Sequence, residues 1–260
     1  MPVSRLRNWN GEEIEAVQSR GGVWAFLDYL NGVICPADCA CPPPELVQKL
    51  SKSDKYIHFY PEDQPLITRQ LGYYTDLQSA HSEDAMVWSC FGTLAHSAPS
   101  ARVTWAQWLV DRLGFSGTIE TSTISLWRRV PHPDSFSQGG PELDALIQTD
   151  KVVVISETKW RSGESQWQGI DGRSTQFDLR ERFIRVLGRS LYRDRQIVLL
   201  SIVLDEHGEP CPTRDGIVFK RITWKTLVNE GPHPLSAELR RYYDWKRNLI
   251  PRKHGVAPPG

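Results

Sequence analysis

The stretch from Gly139 to Trp160 constrains this chain most. It holds two short runs, Leu143 to Gln148 and Val152 to Lys159, joined at Asp150-Lys151. Apolar, β-branched runs flanking a polar turn predict a β-hairpin. Strand side chains alternate faces, so Asp144, Leu146 and Gln148 share one parity, and Val153, Ile155, Glu157 and Lys159 share another. A turn centred on Asp150-Lys151 sets Asp144 opposite Glu157 and Leu146 opposite Ile155. Facing residues lie roughly 4.5–5.5 Å apart at Cβ, and like charges placed so repel. Two acids and one ammonium thus meet at one end of a hairpin whose other residues are apolar. Positive charge between the acids is required, and a metal ion is the natural source.

The length of 260 residues allows one large domain, or one domain with additions. Hydrophobic residues make up 40% and charged residues 24%, which is ordinary for a globular protein with its own core. No run of about 18 apolar residues occurs, so no membrane span is expected. The first residues lack the apolar centre of a signal peptide, and a cytoplasmic location is expected. Lys plus Arg number 31 and Asp plus Glu number 31. A protein that grips nucleic acid alone is usually basic, because phosphate neutralisation carries much of the affinity. Any nucleic-acid surface here is therefore local, or shared with a protein partner or a second copy. Cys35, Cys39 and Cys41 sit in a Pro-rich loop without an evident fourth ligand. Free thiols are expected there in preference to zinc.

Along the chain, scattered helical spacing over Glu12 to Leu30 predicts a helix broken at Gly21-Gly22. Pro44 opens a short helix, and Lys55 to Tyr60 reads as a strand. Thr75 to Ser97 is a helix that begins at Asp76 or at Ser82, the latter followed by two acids. Thr104 to Leu113 is a second helix, closed by Gly114. Strand character follows over 117–130, then the hairpin. Trp160 to Arg173 is a polar, Gly-rich loop. Ser174 caps a helix reaching about Arg193, with Phe177, Phe183, Ile184, Leu187 and Leu191 on its apolar face. Gln196 to Leu204 is a strand buried on both faces. Ile217 to Ile222 is a further strand, and Trp224 to Asn229 and Leu235 to Leu249 are helices.

Between residues 76 and 204 the order is helix, helix, strand, strand, strand, helix, strand. With Pro141-Glu142-Leu143-Asp144, twelve intervening residues and Glu157-Thr158-Lys159, that order resembles the PD-(D/E)XK, or restriction-endonuclease-like, nuclease superfamily. The resemblance implies an α/β fold with an αβββαβ core and a central mixed sheet, carrying N-terminal and C-terminal helical elaborations. The divisions expected are 1–72 for the N-terminal elaboration, 73–206 for the core, 207–250 for elements packed on the core, and 251–260 for a disordered tail. It implies that Asp144 and Glu157 bind a divalent metal, that the Thr158 carbonyl adds a ligand, and that Lys159 orients the attacking water. Glu83 matches a further acid that many members carry on the preceding helix. Gln176 matches a glutamine found near the start of the following helix in one branch. Arg180 stands where that branch often has an aromatic residue.

Residue chemistry agrees with the metal reading. Mg²⁺ takes oxygen ligands and is commonly held by one or two carboxylates plus phosphate, with Mn²⁺ expected to substitute. An acid-x-Lys tripeptide is common by chance, and Asp244-Trp245-Lys246 is a second one without a hairpin partner. Glu83 reads equally as a helix-start acid, and Gln176 as a solvated one. Glu142, His81 and His96 read as surface or structural residues. Arg161, Trp160 and Arg180 are candidates for nucleic-acid contact, though the arginine run over 180–193 is interleaved with acids, as a solvated face would be. The expected activity is divalent-metal-dependent hydrolysis of DNA, with a partner or as an oligomer, in restriction, transposition, repair or antiphage defence. Two alternatives stand beside it: cleavage of RNA by the same fold, and a non-catalytic assembly subunit that keeps the fold.

Overall fold

The computed structural model describes residues 2–18, 22–36, 43–51, 76–134, 140–160, 175–205 and 217–249. The strand expected over Lys55 to Tyr60 and the tail 251–260 lie outside these residues. The chain divides into two units, residues 1–85 with 237–260 and residues 86–236. The boundary between the units after Ala85 lies inside the helix that follows Ser82, beyond the division expected after residue 72. The C-terminal helix groups with the N-terminal segment, not with the central sheet.

In the first unit, β1 (Val3–Arg7), β2 (Glu13–Gln18) and β3 (Trp24–Phe26) form an antiparallel three-stranded sheet. This corrects the helix expected over Glu12 to Leu30, and with it the expectation that the start of the N-terminal elaboration is helical. The governing signal is the alternation of Ile14 and Ala16, buried against Phe26 and Ala80. Gly22, at φ 80°, lies in the connection between β2 and β3 and is no helix break. The C-terminal helix (Ser236–Asn248) is tied to this unit by side-chain hydrogen bonds to backbone carbonyls. Tyr242 donates to the Gly32 carbonyl (2.7 Å), Trp245 to Arg7 (2.8 Å) and the Lys246 ammonium to Ala80 (2.9 Å). Cys35 is disulfide-bonded, against the free thiol expected.

The second unit is built on a five-stranded mixed sheet in the order β4-β5-β6-β7-β8. Its strands are β4 (Ser122–Arg129), β5 (Glu142–Thr149), β6 (Val152–Thr158), β7 (Gln196–Val203) and β8 (Val218–Thr223). The first three pair antiparallel and the last three parallel. Every residue of β6 is buried, as the central strand of a sheet covered on both faces requires. Phe183 and Ile184, with Phe177 and Leu187, pack on Leu146, Val153, Ile155, Leu199 and Phe219. They belong to the helix Gln176–Phe183 and the π turn Ile184–Gly188 that continues it. Its N-cap is Thr175, one residue beyond the expected Ser174, and Thr175 and Asp178 bond each other's backbone N–H groups.

Preceding the sheet, a helical stretch runs through Glu83–Val87, a π turn Trp88–Gly92 and Thr93–Ala95. Ser82 Oγ accepts the Ala85 N–H (3.0 Å), the cap the sequence predicts. A side chain at Gly92 would collide with the Trp88 ring, so the π turn depends on glycine there. The helix Pro99–Arg112 opens on proline, and Gly114 follows it at φ 85°. The element order of the second unit is thus helix, helix, three strands, helix, strand, strand, helix. Among the described residues, no helix is long and apolar enough to cross a membrane.

Candidate active site

The β5–β6 register is the one the turn predicts: Leu146 faces Ile155, and Ala145 faces Ser156. Continued by one residue, it sets Asp144 opposite Glu157. The regular ladder stops there because side chains take over the backbone. Ser156 Oγ accepts the Ala145 N–H (3.1 Å) and donates to the Ala145 carbonyl (3.0 Å). Asp144 Oδ2 then accepts both the Thr158 N–H (2.7 Å) and the Thr158 hydroxyl (3.0 Å). On its other side, Asp144 adjoins Trp127 of β4, which breaks the β4–β5 ladder at φ 49°. A bulky residue in the left-handed region is strained, and such strain persists only where packing imposes it. Trp127 is buried and stacks with Trp88, ring centroids 6.4 Å apart.

Glu157 is 3% exposed. Its Oε1 accepts from Lys159 Nζ (2.7 Å), and its Oε2 is in ion contact with Arg180 Nη2. That same Nη2 lies 3.8 Å from Asp144 Oδ1 and donates to the Glu142 carbonyl (2.7 Å). Burial first, and the Asp144 carboxylate second, push the Glu157 carboxyl up to about 7, against the opposing pull of Arg180 and Lys159. Lys159 Nζ also lies 3.4 Å from Gln176 Oε1. Its backbone is fixed on both sides: the N–H donates to Ile202 in β7 (2.7 Å), and Trp224 Nε1 donates to its carbonyl (3.1 Å). Residues Gln176 and Arg180 are four apart on one helix, hence on one face. One turn of that helix therefore supplies both a neutral and a charged group to the hairpin end.

The structure thus brings together Asp144, Glu157, Thr158, Lys159 and Gln176, all expected site residues, and adds Arg180 among them. Arg180 was expected to meet nucleic acid at the surface. It is 2% exposed and faces the two acids. Trp160 was expected to contact nucleic acid too, but it is 1% exposed. It follows closely on β6, every residue of which is buried, and shares that strand's enclosure. Arg161 lies outside the described residues. Glu83 stands in the first turn of its helix and belongs to the first unit, whereas the hairpin acids belong to the second. Arg180, Trp127 and Trp224 were not anticipated in these positions. Only Arg180 carried a signal, its i, i+4 relation to Gln176.

Two facing carboxylates, one of them buried and raised in pKa, form a donor set that suits a divalent cation held by oxygen. Asp144 and Glu157 are the residues that would hold it. Among the described residues, no group of three or more His, Cys, Asp or Glu converges, so the remaining positions would fall to water and phosphate. No family model matches the chain, and comparison with curated proteins and with solved structures gives no match either.

Proposed function

We propose that the protein is a divalent-metal-dependent nuclease that hydrolyses phosphodiester bonds of DNA at the Asp144–Glu157–Lys159 end of the hairpin. The observation that carries this reading is the convergence itself. Asp144 and Glu157 face each other, and Lys159 lies 2.7 Å from Glu157 and 3.4 Å from Gln176. Resemblance to the PD-(D/E)XK superfamily in motif and element order supports the same reading. A divalent cation held by the two carboxylates supplies charge neutralisation and Lewis acidity toward a phosphodiester. The chain's own groups do the rest. Thr158 fixes Asp144 through two hydrogen bonds, so its other oxygen keeps one direction. Lys159, held by β7 and Trp224, places its ammonium where it can orient a water molecule and stabilise charge developing on phosphate. Gln176 helps to orient that ammonium.

The test is incubation of the purified protein with plasmid DNA and Mg²⁺, beside Asp144→Ala and Lys159→Ala. Cleavage is expected from the wild type and not from the variants. Equal cleavage by all three would refute the proposal, since a contaminant would then be the source. Parallel digestion of structured RNA separates DNA from RNA as substrate.

One observation favours a second reading. Arg180 and Lys159 already balance the charge of both acids. A non-catalytic subunit could keep such an ion cluster for structure alone. Mn²⁺ titration distinguishes the two, because a purely structural cluster takes up no metal.

A further inference from the structure

Each of the four oxygens of the acid pair has an assigned neighbour. Asp144 Oδ2 is held by Thr158, and Glu157 Oε1 by Lys159. The remaining two, Asp144 Oδ1 and Glu157 Oε2, both address one atom, Nη2 of Arg180. A cation bridging two carboxylates takes that place. We propose that Arg180 is the site's built-in stand-in for the divalent cation. It holds Asp144 and Glu157 together in the metal-free protein, and it is released to a nucleic-acid phosphate when the metal enters. This rests on the nuclease reading above and adds its regulation: metal loading and phosphate binding are coupled through one side chain.

Charge supports the coupling. Two carboxylates, one ammonium and one guanidinium sum to zero within a largely buried cluster. Adding a divalent ion leaves an excess of two positive charges, which is costly where solvent is excluded. A phosphodiester anion reduces that excess, so the metal enters best when nucleic acid arrives with it. The guanidinium is also incompletely used. Its Nε and Nη1 are buried and find no hydrogen-bond partner among the described residues. Unmet buried donors are expensive, and those on a charged group more so. Phosphate is the oxygen-rich anion that arginine takes most readily. Arg180 is therefore poorly satisfied beside the acids and better satisfied beside a phosphate.

The experiment is Mn²⁺ titration followed by electron paramagnetic resonance at pH 8.5, on the wild type, Arg180→Met and Arg180→Gln. Each is measured with and without a short phosphorothioate oligodeoxynucleotide. Without the oligonucleotide, Arg180→Met is expected to bind Mn²⁺ at least roughly tenfold more tightly than the wild type, because a competing unit charge at contact distance is gone. The oligonucleotide is expected to tighten Mn²⁺ binding to the wild type several-fold and to leave Arg180→Met nearly unchanged. Thermal melting checks that the variants are folded. Arg180→Gln keeps a polar side chain without the charge, and it carries the test should the methionine variant not fold. Equal Mn²⁺ affinity in wild type and folded variant, or equal enhancement by the oligonucleotide, overturns the role of Arg180 and leaves the metal site standing. Absence of Mn²⁺ binding in every protein overturns both together.

Discussion

The two ends of the β5–β6 hairpin carry acids in opposite states. At the turn, Asp150 is partly exposed and accepts the backbone N–H groups of Glu120 (3.0 Å) and Thr121 (3.3 Å). Desolvation is the largest single influence and works against it, but those bonds and Lys151 together outweigh it and hold its carboxyl below the usual range. At the other end, Glu157 is 3% exposed, and burial pushes it up to about 7 despite two neighbouring cations. The turn acid is stabilised by donors that water could replace. The inner acid is destabilised by the loss of water, and only a cation or a proton compensates it. The same residue class thus serves architecture at one end of the hairpin and, on the function proposed above, chemistry at the other.

The largest effect that can break this contrast is on activity. If the inner end is the reacting one, Asp144→Ala and Lys159→Ala each lower DNA cleavage by roughly 10²–10⁴-fold, the range of a lost acid–base or electrostatic group. Asp150→Asn leaves it unchanged. Initial rates on plasmid DNA in Mg²⁺ measure all three, and a comparable loss in Asp150→Asn would erase the distinction between the ends.

Next in size is the pH dependence of stability in metal-free buffer. Glu157 binds its proton more tightly in the folded protein than in the unfolded chain. Between the ordinary carboxyl value near 4.5 and about 7, the folded state therefore holds more protons, and stability falls as pH rises. Below that window the contribution is fully present, and above it no further loss occurs. The drop is at most about 3 kcal/mol. Urea unfolding from pH 4.5 to 7.5 should show this slope in the wild type and not in Glu157→Gln. An unchanged slope in the variant would assign the titration elsewhere.

Ser156→Ala probes how the inner end is held. Its hydroxyl bonds both backbone groups of Ala145, so the variant leaves a buried N–H and a buried carbonyl unmet. The expected cost is about 1–3 kcal/mol in denaturant unfolding. A loss of activity beyond that explained by unfolding is also expected, because Asp144 follows Ala145 directly in this strand. Full stability in the variant would show that the ladder, not the hydroxyl, sets the spacing of the acids.

The hairpin was legible because three signals agreed on it: a polar turn, β-branched runs around it, and one sheet face for the acids and lysine. The register followed from the turn alone. The N-terminal sheet was not legible, since β2 offers only Ile14 and Ala16 as an alternating pair and β3 is three residues long. Tertiary contact with the C-terminal helix decides that region, for example Trp245 stacked on Phe26 at 5.2 Å. Arg180 was misplaced for a related reason. Within a run of arginines the one local mark of the residue that turns inward is its place four beyond Gln176, and the position of the acids, set by distant strands, is what selects it. The backbone of Trp127 is a further case, because a positive φ imposed by packing leaves no trace in composition.

The smallest expected effect lies at the turn. The folded-state value of Asp150 is depressed, so its contribution is present above the ordinary carboxyl range and lost as pH falls through the lower, folded value. This is the opposite sign to Glu157, in a lower pH window, and exposure keeps it small. Asp150→Asn retains a carbonyl oxygen that can accept from Glu120 and Thr121 but removes the charge. The variant should be slightly less stable than the wild type at neutral pH and converge with it on the acid side, so that its unfolding midpoint falls less steeply between pH 4 and pH 2. Should Asp150→Asn instead match the wild type at pH 7 and diverge from it only in acid, the bonds to Glu120 and Thr121 would not favour the charged form, and the opposite signs at the two ends would not hold.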